Sequence, residues 1–131
     1  MQEDLHRIRP GSHRSNTMLT RSDSAARLGV MDVAIEIRHT SQLSDHDLHM
    51  VRSLLESCFE VFDNDHWDHA CGGLHVLARL DDELVGHGAV VMRRLIHEQH
   101  VLRCGFVEAI AVSSRVRGAG IGSRIMRAVN D

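Results

Sequence analysis

At 131 residues, with 43% hydrophobic and 25% charged side chains, the chain has the composition of an ordinary globular domain and enough length for one modest core. Its formal net charge of −3 argues against a general nucleic-acid-binding surface, and no apolar run reaches the length of a membrane span or a secretory signal core. Cys58, Cys71 and Cys104 are odd in number and form no C-x-x-C pair, which reads as reduced thiols in a cytoplasmic protein.

Residues 1–31 hold the only proline, Pro10, and show no sustained apolar period, so a disordered N-terminal extension is expected there. Its arginines are scattered, which speaks against a targeting or binding arm. Residues 33–37 read as the first strand. Ser44 follows as a helix N-cap, with Asp45 and Asp47 at the positive end of the helix dipole and Leu43 set to staple on Leu48. Leu48, Val51, Leu55, Cys58 and Phe62 then fall on one stripe, the signature of a core-facing helix.

Residues 60–69 crowd Glu60, Asp63, Asp65, His66, Asp68 and His69 around Trp67, the sole tryptophan. Two readings stay open, a solvated acidic loop or the wall of an anionic pocket for a small cationic amine, since clustered carboxylates focus potential on polyamines. A zinc site from His66, His69 and Cys71 fits no standard ligand spacing, and no metal is expected. Leu74, Val76, Ala78 and Leu80 alternate as a half-buried strand, and Asp81-Asp82-Glu83 turns the chain. Residues 84–93 form the next strand, in which Gly86 and Gly88 permit a close backbone approach and His87 reads as a packed strand histidine. A turn over 93–100 and a long strand over 101–112 complete one antiparallel meander flanked by helices, an α+β plan.

That last strand runs into Arg117-Gly118-Ala119-Gly120-Ile121-Gly122, after which Ile121, Ile125 and Val129 repeat with helical period. The first N–H groups of a helix have no partners within it, and its dipole makes that end positive. Glycines let a pyrophosphate approach without a Cβ in the way. The loop is not a P-loop, lacking Gly-Lys-Ser/Thr, and its glycines do not keep the G-x-G-x-x-G spacing of dinucleotide sites. Arg117-x-x-Gly120-x-Gly122 resembles the [Q/R]-x-x-G-x-[G/A] signature of the GNAT superfamily of acyl-CoA N-acyltransferases.

Several separate segments narrow the likeness. Cys58-Phe59-Glu60, Trp67-Asp68-His69-x-x-Gly72-Gly73-Leu74-His75, Val85-Gly86-His87-Gly88-Ala89, Met92-Arg93-Arg94 and Gly105-Phe106-Val107-Glu108-Ala109 together resemble aminoglycoside 2′-N-acetyltransferases over about residues 33–131. The resemblance implies a GNAT fold, a mixed and mostly antiparallel sheet flanked by helices, with residues 32–131 as its N-terminal part. It also implies acetyl transfer from acetyl-CoA to an aminoglycoside amine, with resistance to such antibiotics as the biological role. Glu108 would take the amine proton through water and contact the acceptor, and the carbonyl of Ala109 would accept from an amine. The backbone N–H of Ile110 would polarise the acetyl oxygen. Ile110, Ala111 and Val112 would line the pantetheine arm, and Arg117, Gly118, Ala119, Gly120, Ile121 and Gly122 would receive the diphosphate. A homodimer is compatible with the full-length enzyme.

Two departures temper these expectations. The aspartate that such enzymes place before the aromatic of the acidic segment is His66 here, leaving Asp65 as the substitute acceptor contact beside His66. The sequence ends at Asp131, inside the helix after the glycine loop, and contains no tyrosine to supply the family's usual acid. Marginal stability, a poorly buried last helix and little activity are therefore expected of this length of chain. Acetyl transfer to another small amine or to a protein N-terminus is the alternative, as is an inactive fragment that at most binds CoA.

Overall fold

The computed structural model describes residues 32–131. The expected extension over 1–31 lies outside them. In chain order come β1 (Ala34–His39), a 3-10 turn (Thr40–Gln42), α1 (Asp45–Cys58), α2 (Asn64–Ala70), β2 (Leu74–Leu80), β3 (Glu83–His97), β4 (His100–Val112), a second 3-10 turn (Ser114–Val116) and α3 (Ile121–Asn130). Among the described residues the strands form one antiparallel sheet in the order β1-β2-β3-β4, the meander that the alternation predicts.

α1 starts where its cap dictates. Ser44 Oγ accepts from the Asp47 N–H at 3.1 Å, and the Asp47 carboxylate reaches back to the Ser44 N–H at 3.3 Å, closing a capping box. The hydrogen bond from Ser44 is the largest cause holding the Asp47 carboxyl below its usual range, and Arg79 Nη2, 2.7 Å away, adds to it. The helix lays Val51, Leu54 and Leu55 over one face of the sheet, against Leu77, Leu84 and Ala111, with Leu43 and Leu48 in the same cluster. Each fully buried leucine or valine here contributes about 1.5–3 kcal/mol.

α3 covers the opposite face. Ile121 and Ile125 are buried among Val76, Ala78, Val85 and Val116, contrary to the expectation of a poorly covered helix. The reason lies in β3. A Cβ on Gly86 would stand 2.7 Å from Ile125 Cδ1, and one on Gly88 would stand 2.8 Å from Ile125 Cγ2 and 2.5 Å from Ile110 Cδ1. The two bare positions let the helix settle directly onto the meander, so its apolar stripe finds a core within this chain.

Three local expectations change. Residues 64–70 form a helix rather than a loop, because Asp63 caps it, its Oδ1 accepting from the His66 N–H at 3.0 Å. The strand expected to end at Arg93 continues to His97, and the turn shrinks to Glu98-Gln99, whose φ values of 45° and 69° suit a two-residue hairpin. The ladder persists through the pairs Leu95–Leu102 and Ile96–Val101 although those side chains are exposed. β1 itself begins at Ala34 and runs to His39.

Candidate functional site: two hollows around a bulge in β4

The register of β3 against β4 shifts between His87 and Ala89. His87 stands opposite Ala111 and Ala89 opposite Glu108, so Gly88 faces two residues, Ala109 and Ile110. This is a β-bulge, and Ala109 carries its strain with φ of 51°. Glu108 and Ala111 are three apart, so in a regular strand they would point to opposite faces. The extra residue puts both on the face covered by α1, while Ile110 turns to the α3 side and packs with that core.

Glu108 thereby enters a hollow of about 340 Å³ lined by Phe59, Val61, Phe62, His66, His69, Glu108 and Ala109. Elements distant in sequence meet here: the segment that follows α1, helix α2, and the bulge. Asp65 is exposed on α2 and is not among the lining residues, whereas His66 is. Asp63 is occupied in capping and lies 2.6 Å from His66 Nδ1, and its carboxyl is held low chiefly by the His66 backbone N–H. Glu108 is accordingly the one carboxylate among the lining residues, so the described acidic wall is thinner than the sequence suggests.

Two contacts at this hollow escape sequence reading. Arg93 Nη2 lies 3.7 Å from Glu108 Oε1 and donates to the His69 carbonyl at 3.3 Å, tying β3, β4 and α2 together. The Met92-Arg93-Arg94 segment flagged the residue but not its partner. His87, buried, donates from Nδ1 to the Ala109 carbonyl at 2.9 Å. The first partner of that carbonyl is thus a protein donor, where the resemblance assigned an amine. A carbonyl oxygen keeps a second lone pair for a ligand.

The second hollow, also about 340 Å³, is bordered by Val112, Val116, Arg117, Gly118, Gly120, Ile121, Gly122 and Ser123. Gly118 and Gly120 have φ of 84° and 78°, a region costly for other residues. Gly120 is the N-cap of α3, with no side chain on the helix start and no acidic residue in its first turn. The first hydrogen bond of the helix runs from the Arg124 N–H to the Gly120 carbonyl, so the N–H groups of Ile121, Gly122 and Ser123 precede the helical ladder. The Ile121 side chain is core, leaving its backbone to the hollow, and Ala119 packs partly against the same core. Arg117 is exposed at the rim and donates from Nε to the Val112 carbonyl at 3.2 Å. Bare backbone, a positive helix end and an arginine at the rim fit a diphosphate.

β4 connects the hollows. It is the last strand in the sheet order, so among the described residues one edge of its backbone has no neighbouring strand. Ile110, Ala111 and Val112 lie on the stretch between the bulge and the glycine loop.

A fold of this topology, with a bulged strand feeding a glycine-lined helix start, is that of an acyl-CoA N-acyltransferase. The chain belongs to the Acetyltransferase (GNAT) family, whose sequence profile matches residues 41–131. It is 38% identical over 104 residues to an aminoglycoside 2′-N-acetyltransferase of Mycolicibacterium fortuitum, an alignment taking in 79% of this chain and 53% of that protein. The chain therefore spans about half the length of that relative. Among solved structures it resembles ElaA of Escherichia coli (TM-score 0.55, 22% identity, 76% of this chain and 68% of that one). It also resembles a ribosomal-protein-alanine N-acetyltransferase of Brucella melitensis (TM-score 0.52, 28% identity, 76% and 70%). An aminoglycoside acetyltransferase from a soil metagenome, solved with sisomicin, has the same fold (TM-score 0.51, 19% identity, 75% and 67%).

Proposed function

We propose that residues 32–131 form the N-terminal part of an acetyl-CoA-dependent acetyltransferase domain that acts on the 2′-amine of aminoglycosides. The reading is carried by the β4 bulge, which sets the Glu108 carboxylate in one hollow while the same strand leads, at Val112, into the glycine-lined hollow. Acetyl-CoA supplies the thioester: attack forms the N–C bond, breaks the S–C bond, and leaves a thiolate that needs a proton. Glu108 takes a proton from the acceptor ammonium through water, freeing the amine that attacks, and anchors the acceptor, while the departing thiolate takes its proton from solvent. The Ile110 N–H stabilises the developing oxyanion, and the Ile110–Val112 edge pairs with the pantetheine arm. Arg117, Gly118, Ala119, Gly120, Ile121 and Gly122 hold the diphosphate, chiefly through backbone N–H groups. Asp65 and His66 flank the acceptor side with the Ala109 carbonyl.

A second acceptor, a peptide N-terminus, is favoured by one observation: Phe59, Val61 and Phe62 give the acceptor hollow more apolar lining than a polycation needs. Acetyl transfer from acetyl-CoA to gentamicin or tobramycin by a chain spanning the full acetyltransferase domain, run beside transfer to N-terminal peptides, separates the two. Acetylation of the aminoglycosides supports the first reading, and turnover of peptides alone overturns it. Acceptor binding has its own probe in Trp67, which lies on α2 between the lining residues His66 and His69.

A further inference from the structure

Behind the bulge runs a buried chain of hydrogen bonds that the proposed reaction does not use. His87 Nδ1 lies 2.9 Å from the Ala109 carbonyl, His87 Nε2 lies 2.9 Å from His75 Nδ1, and His75 Nε2 lies 2.8 Å from Thr40 Oγ1. The Gly72 N–H closes the chain by donating to Thr40 Oγ1 at 2.9 Å. Both imidazoles have no exposed surface, and among the described residues no buried side-chain nitrogen or oxygen lacks a partner.

One arrangement of protons satisfies this chain. A carbonyl oxygen only accepts, so His87 carries its proton on Nδ1 and, when neutral, accepts at Nε2. His75 must then donate from Nδ1 and accept at Nε2, and the Thr40 hydroxyl must donate to it. That hydroxyl accepts from the Gly72 N–H; it also lies 3.2 Å from the Gly73 carbonyl, but that oxygen already accepts from the Thr40 N–H at 2.9 Å, so the hydroxyl proton goes to the nearer His75 Nε2. Every donor points the same way, from the β1 end toward Ala109. The last acceptor belongs to the residue at φ of 51°, a conformation that an alanine keeps only when its surroundings hold it there.

We infer that His87 is a positioning residue: aligned by His75 and Thr40, it clamps the Ala109 carbonyl and so fixes the bulge that aims Glu108 and the Ile110 N–H at the acceptor and thioester. The link to acetyl transfer rests on the proposed function, whereas the clamp rests on geometry alone. Protonating His87 places an Nε2–H against the Nδ1–H of His75 and breaks the chain at its centre. Burial opposes that protonation, lowering His87 to about 4 and His75 in the same direction. By register Glu36 and Arg38 of β1 and Glu108 of β4 share this face, Arg79 of β2 joins Glu36 to Asp47 of α1 there, His39 adds a repulsion on His75, and α1 otherwise covers the face with apolar Leu54 and Leu55.

The test is nitrogen NMR of the intact chain with labelled histidines, which needs no acceptor and no turnover. Both rings should be neutral near neutral pH with the proton on Nδ1. On acidification the Ala109 and Ile110 amides should move together with the His87 ring, at a midpoint well below the ordinary imidazole value, before those of Leu54 and Leu55 move. His87→Asn, which keeps a donor near the Nδ1 position, should hold those two amides close to their parent shifts, and His87→Phe should displace them. An Nε2–H tautomer on either ring overturns the inference even if no variant folds, as does a bulge whose amides ignore the ring. Failure of a chain spanning the full acetyltransferase domain to acetylate any aminoglycoside would overturn the functional reading and leave these signals unchanged, so the two can fail separately.

Discussion

The two hollows are built by opposite strategies. The glycine hollow is local: one run of residues from Val112 to Ser123 supplies nearly all of it, mostly as backbone, and its shape follows from φ values that glycine alone adopts cheaply. The hollow at Glu108 is assembled from the segment that follows α1, from α2 and from β4, and owes its one carboxylate to a register shift. A site made of backbone tolerates changes elsewhere in the fold but not at its glycines. A site made of side chains from distant elements depends on every contact that holds those elements together.

The sharpest way to separate the hollows is Glu108→Gln. In a chain spanning the full acetyltransferase domain it should lower kcat/KM for acetyl transfer by about tenfold to a thousandfold, with acetyl-CoA affinity unchanged, because the amide keeps the shape but cannot take a proton. Kinetics beside calorimetric binding would show it, and an undiminished rate would remove Glu108 from the mechanism. Acid should come next, acting on the side-chain-built region. His87 is lowered to about 4 from 6.5, so the unfolded chain binds its proton first as pH falls. Stability is then unaffected above about 6.5 and declines between about 6.5 and 4 by about 3 kcal/mol from this group. Urea unfolding across that window measures it, and a flat profile would mean that the His75–His87 pair opens to water.

Smaller effects probe the backbone-built region. Gly120→Ala puts a side chain at φ of 78° and should cost about 1 kcal/mol of stability, besides weakening CoA binding. Gly122→Ala should leave stability within about 0.5 kcal/mol, because its Cβ would stand an ordinary 3.7 Å from Val112 Cγ2. If it nevertheless weakens CoA binding, the bare position at Gly122 serves the ligand and not the fold. Equal CoA affinity for the Gly122→Ala chain and the parent would mean that the hollow tolerates a methyl there, as the Gly-or-Ala position of the signature allows.

The sequence by itself determined what is encoded within a few residues. Ser44 and Asp47 announce the start of α1, alternation from Leu74 to Leu80 announces a strand, and Arg117 to Gly122 announces a glycine-lined helix start without a side-chain cap. Each is a local matter of dihedral preference, capping or period, and each is legible without neighbours. Asp63 was local too, yet its capping of α2 went unread because the carboxylates around it suggested a substrate wall. Only the tertiary structure decided where Glu108 points, since a bulge depends on how Ala89 of one strand and Glu108 of the next come into register. It alone joined His87 to Ala109 and Arg93 to Glu108, and it alone showed that Gly86 and Gly88 make room for Ile125. Pairings between distant segments are set by packing and by the need to satisfy buried polar groups, and no single stretch of sequence contains both partners.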